Sequence, residues 1–282
     1  WGVRAPSTSR RQAVRTLVWY RGKDLRIADH QPLTDAARSG EVIPLFVLDD
    51  YFFAPGRAAT MSHRIQYLLS ALASLRANLR SKGSDLLLAR GRSVEVIPRL
   101  AAKWGADRVV AQSWVAPLGA RRDAQVRQAL AVPLALYHTE TLMPPGSILT
   151  GKGTYYNVFT PFARAVMQRG HIAQPLPAPD HLPPIPADVL LPEVPLPRCE
   201  DLGLRENAAL LPGGERAARD RILRFLRMRA ADYGAGRDQL AHDGTSRLSA
   251  DLKFGTLSPR TAWHETIRHL GDHPGGQAFL NQ

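Results

Sequence analysis

Short apolar runs alternate with helical patterns between Thr16 and Thr139. The apolar runs predict five buried strands, at Leu17–Tyr20, Val42–Leu48, Leu86–Ala89, Arg108–Ala111 and Leu134–Tyr137. Helices are predicted at Pro32–Arg38, between Ser62 and Gly83, at Ser93–Trp104 with Ser93 as its N-cap, and at Arg121–Leu130. Apolar strands separated by helices are typical of a parallel sheet covered on both faces, and parallel crossovers are right-handed. We therefore predict a doubly wound, five-stranded α/β domain over residues 16–140.

The pattern changes after this domain. Nine prolines fall between Pro175 and Pro197. Proline fixes φ and lacks an N–H group, so residues 141–214 are predicted to form an extended, semi-rigid linker, with a disordered spacer as the alternative. From Glu215 apolar residues recur among arginines in a helical pattern. Residues 215–282 are therefore predicted to begin an all-α domain.

Composition restricts the protein class. No apolar run reaches 18 residues, so no membrane span is expected, and the single Cys199 excludes an internal disulfide or a multi-cysteine zinc site. A single cysteine and the lack of a membrane span suit a monomer in the reducing cytoplasm. The net charge of +12 makes a polyanionic partner plausible. Because most of the basic residues are arginine, which coding composition can also explain, charge alone leaves nucleic-acid binding open.

The first residues form a separate basic segment. The chain starts at Trp1, not Met, which suggests an incomplete sequence. Residues 1–15 carry four arginines and no acid, and we predict a disordered basic extension there, with a transit peptide as the alternative.

The stretch Asp243–Arg260, DGTSRLSADLKFGTLSPR, concentrates hydroxyl and basic side chains. A turn signal at Asp243-Gly244 precedes three hydroxyls and a guanidinium. They belong to Thr245, Ser246, Arg247 and Ser249. At a helix start, such groups can bind phosphate or pyrophosphate. A second helix start follows at Ser258-Pro259, and the alternative is that both are capped helices without a ligand.

No acid–base, nucleophile or metal-ligand motif stands out. The nine histidines lack metal-ligand spacing, and HExxH and GxSxG are absent, so we expect no metal site and no catalytic residue in these 282 residues. The first strand is not followed by GxGxxG, which argues against a Rossmann dinucleotide site. Ligands of parallel sheets bind beyond the strand carboxyl ends. That position corresponds to Arg21, Lys23, Asp49 and Trp114.

Several segments together resemble the DNA photolyase/cryptochrome family. TSRLS followed by LKFG and LSPR is similar to its flavin-phosphate segment. Other matches, in family order, are the opening strand and loop at Leu17–Arg21 and Asp24–Asp29, the second strand at Pro44–Asp49, and the inter-domain segment at Thr150–Gly153, Tyr156 and Phe159–Phe162. The family runs on into a long helical half. The resemblance therefore implies a chain cut inside its flavin-binding domain.

The resemblance also implies an activity and its residues. The activity is that of a deoxyribodipyrimidine photolyase, a lyase that repairs cyclobutane pyrimidine dimers in UV-damaged DNA with an electron from excited, reduced FAD. Flavin phosphates are expected to contact Thr245, Ser246, Arg247, Leu248 and Ser249. Tyr233 is expected to touch FAD, and Arg237 to face DNA phosphate. Gln282 falls beside flavin and substrate, where lesion-repairing members often have Glu. The rest of the pocket lies beyond Gln282, so we expect these residues alone not to retain FAD.

In this family the sheet pocket can hold an antenna chromophore, either a folate or a deazaflavin. Folate-type members carry Asn-Glu just ahead of the Arg-Asp found here at Arg122-Asp123, and this chain has Leu118-Gly119 there. The departure favours a deazaflavin over a folate and leaves an empty pocket as an alternative.

Two alternatives to repair remain open. One is a cryptochrome, a flavin-based light sensor that signals through a partner, and the Gln282 departure keeps it in consideration. The other is a nucleotide-binding α/β domain with a helical partner-binding extension and no flavin, in which TSRLS only caps a helix.

Overall fold

A computed structural model describes residues 13–190, 194–239 and 241–282. Its central sheet is fully parallel and has the order β3-β2-β1-β4-β5. The strands are β1 Thr16–Tyr20, β2 Val42–Leu48, β3 Leu87–Arg90, β4 Arg108–Gln112 and β5 Leu134–Tyr137. The predicted five-stranded parallel sheet is confirmed. The order reverses between β1 and β4, which places the usual ligand crevice at their carboxyl ends.

Helices cover both faces of the sheet and form the segments that follow it. They are α1 Gln31–Ser39, α2 Asp50–Phe53, α3 Pro55–Ala59, α4 Ser62–Ser81, α5 Ser93–Lys103, α6 Pro117–Ala129, α7 Phe159–Arg169, α8 Glu215–Met228, α9 Tyr233–Gly236, α10 Ser249–Phe254, α11 Pro259–Leu270 and α12 Pro274–Leu280. Alternate residues of β1 point to opposite faces: Val18 packs with α1 and α4, and Trp19 with α5 and α6. This two-sided core confirms the doubly wound arrangement. Within the described ranges, no helix combines the length and apolarity that a bilayer span requires.

The start of α5 differs from the prediction that Ser93 is its N-cap. Ser93 is the first helical residue, and the cap position belongs to Arg92, which makes no side-chain cap bond. The hydroxyl of Ser93 donates to Asp49 Oδ2 at 2.6 Å, and the Ser93 N–H donates to the same oxygen at 2.9 Å. A carboxylate from the end of β2 therefore satisfies the helix start in place of a local serine cap.

The proline-rich linker lies against the α/β domain. Leu182 is completely buried in the core, and its N–H donates to Lys82 O at 2.8 Å. Leu176 exchanges two hydrogen bonds with Asp29, of 2.8 and 3.0 Å. Near its far end, Asp188 pairs with Arg15 at 2.7 Å. Residues 1–12 of the predicted basic extension lie outside the described part, whereas Arg15 is held by both Asp188 and Glu41.

Buried polar contacts also fix the helical segment on the α/β domain. The carboxylate of Glu215, at the start of α8, accepts the N–H groups of Ile27 and Ala28 at 3.0 and 2.9 Å. Asp29, which is fully buried, pairs with Arg260 of α11 through two bonds of 2.5 and 3.0 Å. These charged contacts are short and mostly enclosed, so residues 215–282 have a defined orientation on the sheet domain.

Candidate functional site

The segment Thr245–Ser249 presents polar groups to solvent around one buried anchor. Leu248 is 1 % exposed and packs in an apolar cluster with Phe225, Tyr233 and Leu257. Among the described residues, no protein group pairs with the hydroxyls of Thr245, Ser246 and Ser249. The segment therefore offers three hydroxyl donors from a backbone that the leucine holds in place.

Helix capping does not account for this segment. The helix α10 begins at Ser249 with Leu248 at the cap position, and no side-chain cap bond forms. At α11 the predicted cap is confirmed, because Ser258 Oγ accepts the Thr261 N–H at 3.1 Å. The capping interpretation thus holds for the second helix start and fails for the first.

Arg247 stands in a strained backbone conformation at the edge of a cleft of about 340 Å³. Its φ is +54°, a left-handed conformation that residues other than glycine seldom adopt. Its Nε donates to Asp243 Oδ1 at 2.9 Å, and Arg229 pairs with the other oxygen of that carboxylate at 2.6 Å. Thr245 and Ser246 line the same cleft. The cleft therefore combines hydroxyl donors with guanidinium groups, as a phosphate site requires.

Gly244 serves close packing rather than a left-handed turn. A Cβ at this position would lie 2.6 Å from Gly236 O, a distance that no real side chain tolerates. The φ of Gly244 lies outside the left-handed region, so the predicted turn does not require glycine here. The close approach of Gly236 requires it. The contact brings α9, and with it Tyr233, next to Thr245–Ser249, the hydroxyl-rich segment.

Tyr233 and Gln282 are in direct contact. The Tyr233 hydroxyl donates to Gln282 Oε1 at 2.7 Å, and its ring packs edge-on against Phe225 and Phe279. Burial raises the pKa of Tyr233, so the hydroxyl stays protonated as a donor. Arg237 follows one turn later, about one-third exposed, and lies 3.6 Å from Asp238. Tyr233 and Gln282 thus form one pair, Thr245–Arg247 line a separate cleft, and the apolar cluster around Leu248 joins them.

A second cavity, of about 300 Å³, opens at the carboxyl ends of β1 and β2. All four residues that the sequence places at this edge line it: Arg21, Lys23, Asp49 and Trp114. Arg122 adds a guanidinium 4.5 Å from the Trp114 ring centre and 5.2 Å from that of Trp19. Burial, followed by the charge of Arg21, lowers the pKa of Arg122 to about 10, so it remains cationic at neutral pH.

Several buried donors around this cavity have no partner within the described structure. They are Nε and one terminal nitrogen of Arg21 and of Arg122, and the indole N–H of Trp114. Unpaired buried donors cost about 1–3 kcal/mol each, so they indicate a ligand that supplies acceptor atoms. Leu118 is half exposed, and the ring of Trp114 leaves no room for a side chain at Gly119. The two positions that would mark a folate site therefore carry no polar group.

The DNA photolyase family model matches residues 16–180, which is more than half of the chain. The chain belongs to the DNA photolyase family.

Individual photolyase-family relatives agree with this assignment. A deoxyribodipyrimidine photo-lyase of Thermus thermophilus is 37% identical over 256 residues, covering 91% of this chain and 55% of the relative. A cryptochrome DASH of Natronomonas pharaonis is 34% identical over 269 residues, covering 90% and 56%. A class III photolyase structure from Agrobacterium tumefaciens superposes with a TM-score of 0.79 at 26% identity, covering 98% of this chain and 58% of that one. The chain thus spans about half the length of the curated relatives it matches.

Two features of this photolyase-family chain escaped the sequence reasoning. The sequence identified Arg122 only as part of a folate marker and not as a residue of the cavity. The signal that could have found it is the pair of arginines near the start of the helix after Trp114. Asp251, between Ser249 and the predicted LKFG segment, was given no role, yet its carboxylate is completely buried. Two of its partners, Tyr67 and Arg221, are distant in sequence, so no local pattern could have identified the cluster. Among the described residues, no cluster of metal-ligating side chains occurs.

Proposed function

We propose that this photolyase-family chain contributes to light-dependent repair of cyclobutane pyrimidine dimers in DNA, with FAD as cofactor. The observation that carries the proposal is the Thr245–Ser249 segment, whose hydroxyls are unpaired within the described residues while Leu248 anchors it. Relatives named deoxyribodipyrimidine photo-lyase, such as those of Thermus thermophilus and Streptomyces griseus, support the choice of reaction.

The FAD phosphates are assigned to Thr245, Ser246, Arg247, Leu248 and Ser249. The three hydroxyls and the guanidinium supply donors, and Leu248 contributes its backbone N–H. A diphosphate fits these residues, because the three hydroxyls have no partner among the described residues and Arg247 pairs with Asp243 through Nε, which leaves its terminal nitrogens for charge-assisted bonds. Tyr233 and Gln282 are assigned to the flavin side, where the tyrosine hydroxyl orients the amide of Gln282.

When bound by the residues assigned above, FAD would supply the light-driven electron transfer that splits the dimer. The protein binds and orients the cofactor and takes the lesion out of the base stack, which costs only a few kcal/mol for a damaged pair. Arg237, on an exposed turn after Tyr233, is assigned to a DNA phosphate. The net charge of +12 favours such an anionic partner.

The cavity at the sheet edge is assigned to an antenna chromophore, with a deazaflavin favoured over a folate. Its unpaired donors at Arg21, Arg122 and Trp114 fit the carbonyl oxygens of a planar heterocycle. Trp114, which is only partly buried and lines the cavity, adds apolar surface for such a ligand.

The remaining assignments describe the organisation of the protein. We assign residues 16–140 to the α/β domain, 141–214 to the linker and 215–282 to the beginning of the helical flavin-binding domain. A cytoplasmic monomer acting on UV-damaged DNA is the proposed working form.

A cryptochrome-type light sensor is the second candidate. The amide of Gln282 favours it, because this position often carries a carboxylate in repairing members. A relative named cryptochrome DASH, at 34% identity, gives it further support.

Flavin retention by the product of the complete reading frame tests the cofactor assignment. Ser246→Ala and Arg247→Ala are expected to lower the flavin-to-protein ratio, while Arg92→Ala, at an exposed position of the α/β domain, leaves it unchanged. Equal flavin content in all variants would contradict the phosphate assignment of this segment, and a complete protein without flavin would favour a nucleotide-binding domain that uses none. Light-dependent repair then separates the photolyase from the cryptochrome.

A further inference from the structure

Asp251 carries a fully buried carboxylate directly behind the Thr245–Ser249 segment. It lies in the first turn of α10, two residues after Ser249. Two helices and the loop after α10 contact it. The Tyr67 hydroxyl, from α4, donates to Oδ1 at 2.6 Å, and the Thr256 hydroxyl donates to the same oxygen at 3.1 Å. The guanidinium of Arg221, from α8, pairs with Oδ2.

These contacts fix the start of α10 in space. A buried carboxylate is tolerated only where hydrogen bonds and an opposite charge compensate for lost hydration, and removing one partner is strongly destabilising. Tyr67 also stacks on Phe254 with ring centres 5.0 Å apart. Burial, followed by the charge of Asp251, raises the pKa of Tyr67, so its hydroxyl remains a donor. The carboxylate thus ties the end of the hydroxyl-rich segment to the sheet domain.

The same carboxylate orients a guanidinium at the candidate phosphate cleft. Arg221 lines that cleft with Thr245, Ser246 and Arg247. Its second terminal nitrogen donates to Pro212 O at 3.1 Å, so the linker and Asp251 hold the planar group from two sides. Such pre-orientation lowers the conformational cost of pairing with a phosphate.

We propose that Asp251 is a positioning residue for diphosphate binding. It sets the position of the Thr245–Ser249 backbone against α4 and directs Arg221 toward the cleft, without touching the ligand itself. The inference deepens the proposed flavin function and rests on it for the identity of the ligand. A purely structural ion pair would stabilise the fold and leave both the ordering of this segment and the ligand affinity unchanged.

The first arm of the test measures the segment without any ligand. Hydrogen exchange of the Leu252 and Thr256 amides, which donate to Leu248 O and Asp251 O, is compared between the unaltered chain and Asp251→Asn. The expected result is exchange at least about tenfold faster at these amides, with the amides of β1 unchanged, because local opening no longer breaks a buried pair. Asp85→Asn is the matched control, since Asp85 also pairs with Arg76 and Arg80 but lies far from the segment.

The second arm measures the Kd for FAD in the product of the complete reading frame, well below the melting temperature. Asp251→Asn is expected to weaken FAD binding about tenfold, the lower end of the effect seen when a group that orients a metal-ligating side chain is lost. Tyr67→Phe, which keeps the ring stacking, is expected to act in the same direction and serves if Asp251→Asn does not fold. Asp85→Asn should stay within about twofold.

The two arms separate failure of the inference from failure of the flavin proposal. Unchanged exchange at the Leu252 and Thr256 amides, or faster exchange with an unchanged Kd, would overturn the positioning role. If the unaltered protein binds no FAD, the flavin proposal fails, and the exchange arm alone decides whether Asp251 orders the segment.

Discussion

At the scale of single residues, backbone strain coincides with the proposed ligand site. Arg247 adopts φ +54°, a conformation in which glycine would have no steric cost. The position nevertheless carries arginine, whose guanidinium is the group that phosphate binding needs. Strain of this kind persists where the surrounding structure imposes it, often at functional positions. The folding penalty at Arg247 is therefore consistent with selection for ligand binding.

Substitution of Arg247 measures that strain. Arg247→Gly is expected to be more stable than Arg247→Ala by about 1 kcal/mol, because a Cβ disfavours the left-handed region. Arg219 is the control, since it lies exposed in the interior of α8, where glycine is less stable than alanine by about 1 kcal/mol. Urea denaturation gives both differences. A more stable alanine at position 247 would show that the backbone there is not strained.

His30 makes the stability of the fold depend on pH. It is fully buried at the N-cap of α1, where its Nδ1 accepts the Leu33 N–H at 3.1 Å. Burial lowers the pKa of His30 below its ordinary value of about 6.5, against the opposing influence of Asp24. The unfolded chain therefore binds more protons below pH 6.5, and stability is complete above that pH and decreases as the pH falls below it.

Urea denaturation between pH 7.5 and 5 tests this dependence. His30→Asn keeps an acceptor for the helix start but cannot titrate, so its free energy of unfolding should fall less steeply over this range. Identical slopes for the two proteins would exclude His30 as the source.

At the scale of elements, apolar runs predicted the sheet because each strand is buried on both faces. All five strands were located to within one residue at each end. The short helices α2, α3 and α12 were missed, since four to seven residues carry too little periodicity to be recognised. The prediction of an extended chain over residues 141–214 was wrong at α7, an 11-residue helix that ends before the first of the nine linker prolines. The Ser93 cap failed because a distant carboxylate, Asp49, took the place of the local serine interaction. The Asp251 cluster joins residues from distant parts of the chain and leaves no local signal.

The docked linker gives a stability prediction at this scale. Leu182 is fully buried although it lies among prolines, whereas Leu190 is 71 % exposed. Leu182→Ala is expected to lower the free energy of unfolding by about 2–4 kcal/mol, the usual effect of emptying a buried leucine site. Leu190→Ala should change it by less than about 0.5 kcal/mol. Equal small effects in thermal or urea denaturation would mean that the linker does not dock in solution.

At the scale of the whole molecule, the proposed DNA contact of Arg237 predicts a salt effect. Arg237→Ala is expected to weaken binding to duplexes of any sequence and to reduce the slope of log K against log salt by about one, for one lost phosphate contact. Arg92→Ala removes the same charge from an exposed pair with Glu95 in the α/β domain and should leave the slope unchanged. Titrations at several salt concentrations measure both. An unchanged slope for Arg237→Ala would contradict the assignment.

The central claim, that this photolyase-family chain serves DNA repair, is tested most directly with a dimer-containing oligonucleotide. The product of the complete reading frame is mixed with it and kept in the dark or exposed to blue light, and restored bases are counted. The account predicts repair in light and none in the dark, with Gln282 as a tolerated departure from Glu. Bound flavin without repair under light would contradict it and identify the protein as a cryptochrome-type sensor.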